Sequence, residues 1–134
     1  MERRSAFRPQ RVLIVDDTAD LRQLWKIWLT GWGFAVEEAH NGAEAVQKAR
    51  THPPDLILMD YAMPVLDGGA AIRLLASDRN TAQIPVLAMS DYTSAIATTT
   101  PAEKPFLPKP TEPDGLLEHI RRTLRQHSTS VNQQ

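Results

Sequence analysis

At 134 residues, with 42% hydrophobic and 23% charged side chains, the chain is long enough to bury one core and too apolar to stay unfolded. Fifteen Lys and Arg against sixteen Asp and Glu leave a formal charge of -1, so no basic excess marks nucleic acid or an anionic membrane surface as a partner. The absence of cysteine excludes disulfides, thiol nucleophiles and thiolate metal sites, and no apolar run approaches the roughly 18 residues of a membrane span. The basic start, MERRSAFRPQ, lacks the apolar stretch of a secretory signal, so a cytoplasmic location is expected.

Residues 1 to 9 read as an N-terminal extension, 10 to 126 as a single domain and 127 to 134 as a flexible tail. The first strand is expected in RVLIVDD (11 to 17). A helix follows, in which Leu21, Leu24, Trp25, Trp28 and Trp32 share one face, with Gly31 and Gly33 ending it. FAVEEA (34 to 39) predicts the second strand, and Asn41 followed by Glu44 predicts a capping box that opens a helix ended by Pro53 and Pro54. DLILMD (55 to 60) predicts the third strand. The next helix should run from about Asp67 to Leu75 and pack Ala70, Ala71, Leu74 and Leu75 on the sheet.

IPVLAMS (84 to 90) and KPFLPKP (104 to 110) predict the last two strands. Between them, DYTSAIATTTPAE favours a helix of one or two turns at most, since β-branched threonines and Pro101 disfavour more. Pro113 suits a first helical turn, and Leu117, Ile120 and Leu124 form the stripe of a final helix. VLIV, LILM and PVLAM are nearly continuous in apolar residues, the pattern of strands covered on both faces. This β/α alternation predicts an α/β fold with a doubly wound, five-stranded parallel sheet and ligands at the carboxyl ends of its strands.

Those ends carry Asp16 and Asp17 after the first strand, Asp60 after the third, Ser90 after the fourth and Lys109 after the fifth. Carboxylates brought together repel one another unless a cation enters, and an all-oxygen donor set with open positions suits Mg²⁺. An ammonium and a hydroxyl opposite them could hold the remaining oxygens of a transferring phosphoryl group. The arrangement is that of an aspartyl-phosphate site with Asp60 as nucleophile.

VLIVDD, DLILMDYAMPVLDG, Ser90 and the Lys109-Pro110 pair, in this order on these strand ends, resemble a response-regulator receiver domain of the two-component systems over roughly residues 10 to 126. The resemblance implies a flavodoxin-like receiver fold and phosphate transfer to Asp60 from a sensor histidine kinase or histidine phosphotransfer protein. It implies that Asp17 and Asp60 ligate Mg²⁺ directly, that Asp16 acts through a metal-bound water, and that the Ala62 carbonyl completes the metal site. Ser90 would bond the phosphoryl group, Lys109 would pair with it, and Phe106 stands at the aromatic switch position. The Lys109-Pro110 peptide is often cis in this family.

The sequence departs from the family pattern in three ways. The stretch from Ser90 to Lys109 is short and lacks a Gly-Ala pair, and Asp91 follows the switch hydroxyl where a small residue is usual, which makes it a modulator of the site. No output domain follows in this chain. The expected module catalyses only its own phosphorylation and dephosphorylation, binds neither nucleic acid nor membrane, and is a monomer or weak dimer. Two alternatives are a small phosphohydrolase of the haloacid-dehalogenase type, which carries its nucleophile in a D-x-D pattern on the first strand, and a phosphate-independent pseudo-receiver.

Asp55, Asp67 and Asp78 read as structural, and His40, His52, His119 and His127 lack ligand spacing. Arg121, Arg122 and Arg125 read as a solvated helix face. Three tryptophans on one helix exceed what a single buried stripe needs, so Trp28 or Trp32 is a candidate for partial exposure.

Overall fold

The computed structural model describes residues 8–60, 68–89 and 113–132, without the side chains of residues 60, 68, 69, 89 and 127–132. The fifth strand and the short helix before it, together with Ala62, Asp67, Ser90, Asp91, Phe106, Lys109 and Pro110, lie outside the described residues.

Four strands, β1 (Arg11–Val15), β2 (Ala35–Ala39), β3 (Leu56–Asp60) and β4 (Val86–Met89), pair in the order β2-β1-β3-β4, every pairing parallel. Four helices are described: α1 (Ala19–Gly31), α2 (Gly42–Thr51), α3 (Gly68–Ser77) and α4 (Pro113–Asn132). Alternation along each strand divides the core in two. Leu13, Val15, Ile57, Met59 and Ala88 face α2 and α3 through Ala45, Val46, Ala49, Ala71, Ile72 and Leu75. Val12, Ile14, Leu56, Leu58 and Leu87 face α1 and α4 through Trp25, Leu29, Leu116 and Ile120. Helices therefore cover both faces, as the continuous apolar runs of β1 and β3 require. β2 carries Glu37 and Glu38 and is the edge on one side, where charge discourages pairing with another chain.

The structure corrects three helical faces. α1 buries Arg22, Trp25 and Leu29, whereas Leu24 is 40% exposed; the stripe is rotated from the predicted one because Arg22 lies inside it. Trp28 and Trp32 are half-buried against the same core, their rings 6.4 Å apart. In α3, Ala71, Ile72 and Leu75 are buried and Leu74 is 42% exposed, so Ile72 takes the place assigned to Leu74. In α4, Leu116 and Ile120 are buried, Leu117 is half-buried, and the helical backbone runs to Asn132.

Gly33 ends α1 with φ of 100°, a left-handed conformation costly for other residues. Its N–H donates to the Thr30 carbonyl and that of Phe34 to the Leu29 carbonyl, which satisfies the last turn. At α2, Asn41 accepts from the Glu44 N–H at 2.8 Å as expected, but Glu44 bonds the His40 N–H at 2.7 Å rather than that of Asn41. The box is displaced outward by one residue. The structural reading of Asp55 and Asp78 holds: Asp55 accepts from the Arg11 N–H, and Asp78 accepts from the Asn80 N–H and pairs with Arg50.

Candidate functional site

β1 is followed directly by Asp16, which is wholly buried, and Asp17 beside it is exposed. A buried carboxylate needs hydrogen bonds or a cation. One oxygen of Asp16, Oδ1, accepts the Thr18 N–H at 2.8 Å, and this bond turns the chain from β1 into α1. Thr18, the residue that precedes the first turn of α1, makes no side-chain cap. The Asp16 N–H donates to the Ala39 carbonyl at 3.2 Å and continues the β1–β2 pairing by one residue.

The third carboxylate follows from register. Val15 of β1 lies opposite Met59 of β3, so the next residues along the two strands are Asp16 and Asp60. Parallel neighbours are about 4.8 Å apart, which gathers three aspartates at two adjacent strand ends. Asp60 is in turn opposite Met89, the last residue of β4. Among the described residues no group of three acidic or histidine side chains gathers tightly enough to hold a metal ion, the Asp60 side chain not being one of them. The donors nonetheless fit Mg²⁺, since a buried carboxylate beside an exposed one offers only oxygen.

Sequence reasoning missed the ionic cluster behind these aspartates. Arg22, 7% exposed, donates through Nη1 to the Asp16 carbonyl at 2.6 Å and through Nε to Glu38 Oε1 at 3.2 Å. Lys26 reaches the other Glu38 oxygen at 3.3 Å, and Lys48 donates to the Glu38 carbonyl at 2.6 Å. Burial raises the Glu38 pKa, but the bonds from Lys26 and Arg22 outweigh it and hold the carboxyl below its ordinary value. The available signal was a charged residue on the same face as Trp25 and Leu29, at positions i, i+3 and i+7. A small cavity of about 90 Å³, lined by Arg11, Val36, Glu37 and Pro54 among others, belongs to the amino-terminal end of β1 and β2, remote from the aspartates.

The model of the response regulator receiver domain matches residues 12–121. Over 116 residues the chain is 40% identical to the chemotaxis protein CheY of Bacillus subtilis, covering 85% of this chain and 97% of that protein. It is 30% identical over 118 residues to the DNA-binding response regulator MtrA of Mycobacterium tuberculosis, covering 88% of this chain and about half, 52%, of that protein. A solved receiver domain of the sensor histidine kinase PA1611 from Pseudomonas aeruginosa, with a magnesium ion coordinated in its active site cleft, aligns with a TM-score of 0.80. Identity there is 26%, over 87% of this chain and 98% of that one.

The chain belongs to the response regulator receiver domain family of two-component systems. The matches bear out the α/β receiver fold and place the chain among signalling modules rather than phosphohydrolases. A receiver domain implies interaction with a histidine kinase or phosphotransfer protein. Among the described residues no helix is long and apolar enough to cross a membrane.

Proposed function

We propose that Asp60 accepts a phosphoryl group from a phosphohistidine on a sensor histidine kinase or histidine phosphotransfer protein. The observation that carries this reading is the strand register, which sets Asp60 beside Asp16 at the carboxyl edge of the sheet, next to Asp17. A carboxylate oxygen of Asp60 attacks phosphorus as the P–N bond breaks. The electron pair of that bond returns to the imidazole nitrogen, which takes up a proton. Asp16, Asp17, Asp60 and the Ala62 carbonyl would hold Mg²⁺, which when bound would neutralise charge on the carboxylates and phosphoryl oxygens. Lys109 pairs with the phosphoryl group and Ser90 donates a hydrogen bond to it. Phe106 and Ser90 then report the charge at Asp60 to the surface.

In this reading the chain works in the cytoplasm, as a monomer or weak dimer, and performs only its own phosphorylation and hydrolysis. The test is labelling by acetyl phosphate with Mg²⁺. Wild type should be labelled and Asp60→Asn should not. Label retained on Asp60→Asn would refute the assignment, and an unlabelled wild type would favour a receiver that acts without phosphate.

A further inference from the structure

We propose that Arg22 is a positioning residue for the acidic site, acting through the Asp16 backbone with Glu38 as its anchor. The proposal rests on the reading of Asp16 and Asp17 as the holders of Mg²⁺. The Asp16 carbonyl that accepts from Arg22 Nη1 at 2.6 Å belongs to the peptide joining the two aspartates. Because that peptide is planar, fixing its oxygen fixes the plane from which the Asp17 chain departs. The Asp16 N–H is held by Ala39 and Oδ1 by the Thr18 N–H, so the Arg22 bond completes a set that fixes the residue along its backbone and at its side chain. Glu38 fixes the guanidinium itself, through Nε at 3.2 Å.

Burying an arginine in an apolar helix stripe is costly, and Leu or Met would fill the volume without that cost. What only arginine supplies is two donors in one rigid plane, one spent on the Asp16 carbonyl and the other on Glu38. Lysine keeps the charge and offers no such fork.

Two roles for Arg22 predict opposite signs. As a mere cation near the site, it repels Mg²⁺, so its removal tightens metal binding. As a brace, its removal loosens the aspartates and weakens binding, by about tenfold on the scale of partners that orient metal ligands. The experiment is a Mg²⁺ titration by calorimetry at constant ionic strength on wild type, Arg22→Lys and Arg22→Met. Each is titrated well below its own unfolding temperature, so that a loss of stability alone does not move the result. The proposal expects both variants to bind about tenfold more weakly, with Lys failing to rescue although the charge is unchanged. If Arg22→Met does not fold, Arg22→Lys decides alone. Binding equal to or tighter than wild type in Arg22→Lys overturns the proposal. Absence of Mg²⁺ binding by wild type overturns the metal reading itself, a distinct result.

Discussion

Neutralising Glu44 isolates how much a single carboxylate at the start of α2 contributes to stability, and its pH dependence has a defined sign. Glu44 Oε1 accepts the His40 N–H at 2.7 Å and lies 2.7 Å from His40 Nδ1, while Oε2 is 3.3 Å from Lys48 Nζ. The backbone bond from His40, helped by the His40 ring and Lys48 and opposed by burial, brings its pKa from 4.5 down to about 2. Glu44→Gln keeps the shape and one acceptor but removes the charge. An anion in the first helical turn contributes about 0.3–1 kcal/mol, and the Lys48 pair about 0.3–0.5 kcal/mol. Exchanging a charge-assisted bond for a neutral one costs roughly another 1 kcal/mol. With 29% of the side chain exposed, solvent screening trims the sum, and Glu44→Gln should cost about 1–2 kcal/mol at pH 7.

A folded pKa below the unfolded one means that this stability is fully present above pH 4.5 and is lost as pH falls through about 2. Urea unfolding of wild type and Glu44→Gln, at constant ionic strength from pH 7 downward, reads the difference directly. The gap should hold to pH 4.5 and close toward pH 2. A gap unchanged at pH 2, or absent at pH 7, would refute the reasoning.

Asp17→Asn should weaken Mg²⁺ binding sharply in a calorimetric titration, because the carboxylate proposed as a direct ligand is lost. Trp25, wholly buried and with its indole N–H lacking a hydrogen-bond partner among the described residues, should tolerate Phe better than Ala in urea unfolding, because Phe leaves a smaller cavity and removes the unpaired N–H. Ala there should cost about 3–5 kcal/mol, since it leaves a cavity. Asp91→Ala should raise the rate of labelling by acetyl phosphate several-fold, less so at high salt, because it removes a negative charge following Ser90.

The parts of the fold legible in the sequence were those where one physical signal dominates. VLIV and LILM are apolar at every position because helices cover both faces, and their strand assignment follows without tertiary information. The strand-end placement of Asp16 and Asp60 was legible because the rule for ligand placement in parallel sheets concerns strand ends, which those runs locate. Helix faces were less legible. Leu24 and Leu74 are apolar residues at helical spacing, yet Arg22 and Ile72 take the buried positions, and hydrophobicity alone does not rank one face above its neighbour. Arg22 escaped notice because its value lies in two bonds to partners 6 and 16 residues away, which no local pattern encodes. The outward step of Glu44 to His40 is of the same kind, a choice between two adjacent N–H groups made by backbone geometry rather than residue type.

The central claim is that Asp60, among the clustered aspartates, carries the phosphoryl group, and reductive trapping tests it most directly. Borohydride converts an aspartyl phosphate to homoserine, so treatment of the protein after acetyl phosphate and Mg²⁺, followed by peptide mass spectrometry, marks the residue that was phosphorylated. Homoserine should be found at position 60 and nowhere else. Conversion at Asp16 or Asp17, or at no aspartate of a protein that had incorporated label, would contradict the account.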